Sequence, residues 1–332
     1  MHSLFCLRRF SFRSRFGWRA AASLAFSAFG LLGCAGPAPA PSHPPGAVAG
    51  VSVRLDATPR IAVMSAFEPE LTLLLNRLQG PARHRINGVD FTTGTLQGKP
   101  VVLFLSGISM VNASMNTQLV LDRFNITHIV FSGIAGGVNP ALHIGDVSVP
   151  AQWSQYLEVL MARETAPGRF TVPPRMAGQT LPPFGMLYPR PVETRTAASP
   201  APVRKFWFEV DPRMLEVARG MGNIDLGACN AGVCLTHKPQ LMVGGNGVSG
   251  QAFVDNAAFR EYAFKTFQAN VLDMETAAVG MVAYSNSVPY IAFRSLSDLA
   301  GGGEAANEMV TFMNIAADNS AKVLLAFLSA WK

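Results

Sequence analysis

The strongest constraint on this chain is the alternation of short apolar runs with helix-patterned stretches. Ile61–Ala66 (IAVMSA) is an apolar run of strand length, and Glu68–Leu78 after it has helical spacing. Phe91–Leu96 and Pro100–Ser106 read as a strand pair joined by the turn residues Gln97-Gly98-Lys99. A helix at Met110–Phe124, a buried-strand run at His128–Ser132 ending in Gly133, and a short strand at Val147–Val149 continue the pattern. It resumes with helix Asp211–Met221, strand Leu241–Val243, helix Asn256–Phe267, strand Val271–Leu272 and helix Met274–Ser285. Strand Pro289–Leu296 and a long helix Asn307–Trp331 close it. Such alternation implies an α/β fold with a central mixed, largely parallel sheet covered by helices in three layers. In these folds the site gathers at the carboxyl ends of the strands. Glu70, Ser106, Gly133–Gly137, Ser249–Val254, Asp273–Glu275 and Ser297-Asp298 are therefore expected to lie close together.

Several function classes are excluded by charge. The chain has 332 residues, of which 14% are charged, and a formal net charge of +6. Arg8, Arg9, Arg13, Arg15 and Arg19 lie in an N-terminal stretch without acids, so the body carries only about +1. That is not the footprint of a nucleic-acid binder. The basic stretch precedes the uncharged run Ala20–Leu32, too short for a membrane span but suited to a signal-peptide core. Leu31-Leu32-Gly33-Cys34 resembles a lipoprotein cleavage box, with Cys34 as the lipidated new N-terminus. Residues 1–33 are thus expected to be a signal peptide, 34–58 a Pro/Ala-rich tether and 59–332 the folded domain. A periplasmic, membrane-anchored protein is the expectation, touching the membrane only through its lipid. Nine prolines between residues 165 and 202 mark a surface insert spanning about 165–205.

Export also colours the cysteines. Cys6 leaves with the leader, and Cys229 and Cys234, as CNAGVC, suit a small disulfide-closed loop. A metal is the competing reading, but His237 stands alone in the sequence beside them, so no metal is expected.

Gly245–Gly250 (GNGVSG) matches the dinucleotide pattern G-x-G-x-x-G, with Asp273 at about the right distance downstream. The match comes after most of the sheet is built, and no cofactor is expected. Three acids stand beside apolar runs: Glu70, Glu275 and Asp298. Each could be a cap or a surface charge. Together they could protonate a leaving group, aim water and hold sugar hydroxyls. Burial would raise the pKa of such a proton donor. Ser106-Gly107 and Gly133–Gly137 are tight turns that let a small substrate approach the backbone.

Six blocks carry a resemblance, in order: IAVMSAFEPEL, SGISMVNAS, GIAGGVNPALHIGDVSVP, VSGQAF, LDMETAAV and RSLSDLAGG. They resemble the nucleoside phosphorylase/hydrolase superfamily, and most closely its 5'-methylthioadenosine/S-adenosylhomocysteine nucleosidases, from about Ile61 to the C-terminus. The branch also resembles plant bark storage proteins. The resemblance implies that Asp298 protonates the purine at N7, oriented by Ser297. It implies that Glu70 activates water, and that Glu275 binds the ribose hydroxyls with Met274 against the sugar. Phe253 would stack on the base, the backbone of Val254 would read its edge, and Ser106, Gly107 and Gly136 would flank the substrate. A purine nucleoside as ligand, no cofactor and a homodimer follow from the same likeness. Gln251 stands where the family has Asp, Asp273 is the first acid of the ribose block, and Phe67 replaces a common Met.

Phosphorolysis by the same fold needs Arg near the first strand or the next loop to hold a dianion. No Arg occurs between Ile86 and Ser109, and Glu68-Pro69-Glu70 follows the first strand. Hydrolysis is the expected reaction. A phosphorylase and a non-catalytic nucleoside-binding or storage lipoprotein are the alternatives.

Overall fold

The computed structural model describes residues 54–332 apart from 175–177, 179–180, 197 and 304–305. The expected leader, Cys34 and most of the tether fall outside these residues. In chain order the first half holds β1 (Asp56–Ser65), α1 (Glu68–Arg77), β2 (Gln79–Ile86), β3 (Val89–Leu96), β4 (Lys99–Leu105), α2 (Met110–Arg123) and β5 (Phe124–Gly137). Next come β6 (Val147–Val149), β7 (Gln152–Gln155), β8 (Val159–Met161), β9 (Arg163–Ala166), β10 (Arg169–Thr171), β11 (Leu187–Pro189), β12 (Val192–Thr194), β13 (Val203–Lys205) and β14 (Phe208–Glu209). The remainder is α3 (Pro212–Gly220), β15 (Cys229–Asn230), β16 (Val233–Cys234), β17 (Leu241–Val243), β18 (Asn246–Ser249), α4 (Ala257–Phe267), β19 (Ala269–Asp273), α5 (Thr276–Ser285), β20 (Tyr290–Asp298) and α6 (Met309–Ala330).

Twelve strands form one mixed sheet in the order β14-β7-β18-β19-β5-β1-β4-β3-β2, with β20 beside β5, β6 beside β20 and β17 beside β6. Its centre is β5, parallel to β1 on one side and to β20 on the other. Ile129, Val130 and Phe131 there are wholly buried, as parallel strands covered on both faces require. Helix α6 packs on β20 and β5 and meets α1 and α3, while α2 and α5 pack together and onto the sheet. Local chemistry starts the helices. Asp211 caps α3 by accepting from the Arg213 and Met214 amides, with Pro212 in its first turn, and Asn256 caps α4 through the Phe259 amide. Among the described residues no helix is long and apolar enough to cross a membrane.

Two features differ from the sequence expectation. β1 begins at Asp56, inside the stretch read as tether, because Asp56 pairs with Arg60 and its backbone joins Phe124 of β5. The Pro-rich insert and the residues just before it carry strands the sequence did not suggest: β8 with β11, β9 with β10 and β12 with β13 form three small antiparallel ribbons. GNGVSG is no phosphate loop. Asn246–Ser249 is a strand, and Cβ atoms at Gly247 and Gly250 would lie 2.6 Å from Trp153 and 2.5 Å from Tyr156. Those glycines make room for aromatic rings. The Cys229–Cys234 disulfide is formed and closes the β15–β16 hairpin.

Candidate active site

The carboxyl ends of β1, β5, β18, β19 and β20 open onto one pocket of about 190 Å³, half-open to solvent and mostly apolar. Glu70, Glu275 and Asp298 all line it. Glu70 belongs to the first turn of α1, directly after β1, but its side chain turns back under the strand ends. Oε2 accepts from the Ala66 amide at 2.6 Å and Oε1 from the Ile134 amide at 2.7 Å. Burial pushes its pKa up, and Arg294 and these amides act against the rise.

Glu275 sits where β19 passes into α5. Its Oε1 accepts from the Ser109 amide at 2.8 Å. Ser109 adopts a φ of 79°, a conformation costing about 1–3 kcal/mol for a non-glycine residue, in the loop that presents this N–H to the carboxylate. Asp273, just before, accepts from the Glu275 and Thr276 amides at the start of α5 and takes a 2.5 Å hydrogen bond from Ser249 Oγ. Burial, and then the neighbouring Asp273 charge, push Glu275 up to about 8, while Arg294 pulls it down.

Arg294, in the middle of β20, is wholly buried among these acids. Nε lies 2.8 Å from Asp273 Oδ2, Nη2 3.7 Å from Glu275 Oε2 and Nη1 3.9 Å from Glu70 Oε1. Its guanidinium carbon lies 4.0 Å from the Phe131 ring centroid. Nη1 makes no hydrogen bond and is aimed at the Glu70 side of the site. Gly133 creates the room, since a Cβ there would stand 1.9 Å from Nη1 and 2.7 Å from Glu70 Oε1.

Asp298 ends β20 on the opposite wall. Oδ2 accepts from Ser297 Oγ at 2.9 Å, and Oδ1 accepts from the Ala300 amide at 2.8 Å and from Asn307 Nδ2 at 3.4 Å. Burial raises its pKa, and these three donors, which favour the charged form, only partly offset it. The pocket thus holds one acid tied to hydrogen-bond donors and three acids, Glu70, Asp273 and Glu275, facing a guanidinium.

This arrangement can be set beside known proteins. Residues 60–329 match the phosphorylase superfamily. The chain belongs to that superfamily. It is 28% identical over 270 residues to the 5'-methylthioadenosine/S-adenosylhomocysteine nucleosidase of Halalkalibacterium halodurans, covering 81% of this chain and 97% of that one. In fold it resembles the nucleosidase of S. pneumoniae solved with the transition-state inhibitor MT-ImmA, with a TM-score of 0.60, 23% identity and coverage of 82% and 100%. The nucleosidase of Colwellia psychrerythraea in complex with adenine gives a TM-score of 0.61 at 24% identity, covering 82% of this chain and 95% of that one.

In this superfamily member Glu70, Gly136, Phe253, Val254, Met274, Glu275, Ser297 and Asp298 line the one pocket. Phe253 is 56% exposed at the rim. Ser106 and Gly107 do not line the pocket: Ser106 is buried, its hydroxyl donating to the Gly107 carbonyl, and Ile108 of the same loop lines it instead. Gln251 is exposed and also outside the lining. Four contributors escaped sequence reasoning: Arg294, the Ser109 amide, Asn307, and the apolar wall of Met309 and Met313. A lone arginine within the apolar PYIAFRSL was the available signal for the first.

Proposed function

We propose that the chain hydrolyses the N-glycosidic bond of a purine nucleoside of the 5'-methylthioadenosine or S-adenosylhomocysteine type, releasing adenine. The observation that carries this is the meeting of three buried carboxyls, Glu70, Glu275 and Asp298, on one nucleoside-sized pocket. The name of the Halalkalibacterium halodurans relative, which aligns over nearly its whole length, supports the choice of substrate.

Asp298, whose pKa burial raises, gives its proton to N7 of the purine. The electron pair of the breaking C–N bond then passes into a neutral leaving base. The sugar becomes cation-like, and the Glu70 carboxylate favours that charge. Glu70, which lines the pocket, holds the attacking water. The water oxygen bonds to the anomeric carbon, and Glu70 takes its proton. Glu275 holds the ribose 2'- and 3'-hydroxyls against Met274, Phe253 stacks on the base, and the Val254 backbone reads its edge.

Hydrolysis is favoured over phosphorolysis by charge. Among the described residues no lysine or arginine lines the pocket, and Arg294 behind it is already engaged with Asp273. A phosphate dianion would meet carboxylates. Incubation of the purified protein with methylthioadenosine, adenosine and inosine, with and without phosphate, tests this. Free base and free sugar at a rate indifferent to phosphate are expected; a sugar 1-phosphate would overturn hydrolysis.

The same reading places the chain outside the cytoplasm, lipid-anchored at Cys34 and acting as a homodimer. The leader composition and the Cys229–Cys234 disulfide support export. Mass spectrometry of the mature N-terminus decides it: a lipid on Cys34 supports the reading, and a chain still beginning at Met1 contradicts it.

A further inference from the structure

A second group of ligating side chains lies outside the pocket lining. His143 and Asp146, in the loop leading into β6, meet His237, in the loop between β16 and β17. One ligand atom from each lies within 4.8 Å of the others. His237 Nε2 is 3.6 Å from Asp146 Oδ1, and His143 Nδ1 is 3.8 Å from Asp146 Oδ2. These separations are too long for hydrogen bonds. They approach the edge of a tetrahedron around a Zn²⁺, about 3.3 Å for nitrogen and oxygen ligands at their usual bond lengths.

We propose that His143, Asp146 and His237 bind a divalent transition-metal cation of the Zn²⁺ type. The chain's other contacts prepare the three groups for it. His237 Nε2 is shielded from solvent and makes no hydrogen bond, an uncommon state for a buried polar atom. Asp146 is 3% exposed. Its oxygens are oriented by the Gln240 amide on Oδ1 and the His143 amide on Oδ2, both at 2.8 Å. Each carboxylate oxygen keeps a second lone pair for a metal, the arrangement of a ligand fixed by its own hydrogen bonds. Two imidazoles and one carboxylate form a donor set for a borderline cation, with the fourth position left to water. His143, 63% exposed, gives an ion access from solvent.

The cation would staple two loops to the strand that carries Asp298. The Gly145 amide donates to the Leu296 carbonyl at 2.7 Å, and the Leu296 amide donates to the Asp146 carbonyl at 2.9 Å. The loop carrying His237 follows the disulfide hairpin, so the metal would fix its far end.

Titration calorimetry of chelator-stripped protein with Zn²⁺ alone, with Tm followed in parallel, tests the site. Uptake saturating at one ion per chain and a rise in Tm that stops at the same ratio are expected. The His143→Ala/His237→Ala variant should lose both, and His128→Gln should keep both. Absence of saturable uptake, or uptake unchanged in the double variant, overturns the proposal. X-ray absorption on the Zn²⁺-loaded wild type decides the case without any variant: two imidazoles with oxygen support the site, and sulfur ligation or a hydrated ion refutes it.

Discussion

Arg294 Nε lies 2.8 Å from Asp273 Oδ2, and neither side chain is open to solvent. Glu275 and Glu70 complete the surroundings of the same guanidinium. One cation cannot neutralise three buried acids, so negative charge is shed as bound protons. Glu275, pushed up to about 8 by burial and by Asp273, is where the chain does so.

Replacing Arg294 by Met should therefore cost about 3–5 kcal/mol of stability, the usual penalty for leaving buried charge unpaired. The sign with pH follows from the raised carboxyl. The folded chain keeps a proton on Glu275 that the unfolded chain loses above its ordinary value of 4.5, so stability falls as pH rises from there to about 8. Without the guanidinium the retained protons are held more tightly, and the loss grows toward alkaline pH. Urea denaturation across that range measures it, and a pH-independent loss under about 1 kcal/mol would contradict the charge balance.

Ser297→Ala removes a donor that favours the ionised form of Asp298. Its pKa should rise further, so the alkaline limb of kcat/KM moves to higher pH, while kcat falls about tenfold from lost orientation. A limb moving to lower pH would show that the titrating acid is another group.

Gly133→Ala places a methyl against Arg294 Nη1 and Glu70. Overpacking of this kind costs about 1–3 kcal/mol. The rate should suffer more, by about 100-fold, because Glu70, which holds the water, is displaced. Circular-dichroism melting together with kcat separates the two effects, and intact kcat would argue against water activation at this point.

The sheet and the three acids were legible because each acid directly follows an apolar strand run and the run lengths set the alternation. What stayed hidden has physical reasons. β2 (QGPARHRI) lacks an apolar face, as an exposed edge strand carrying Pro81 can. Gly247 and Gly250 imitate a phosphate loop because clearance for Trp153 and Tyr156 demands the same residue. The Ser109 amide has no side-chain signature at all. Arg294 and His237 each looked solitary, since their partners at 70, 273 and 275, and at 143 and 146, come together only through the fold.

The central claim is that Asp298 delivers the proton that releases the base. Single-turnover cleavage of methylthioadenosine by Asp298→Asn, paired with calorimetric binding of adenine, tests it most directly. Cleavage should fall by about 100-fold or more while adenine binds within a few-fold of wild type. Cleavage at the wild-type rate would contradict the account.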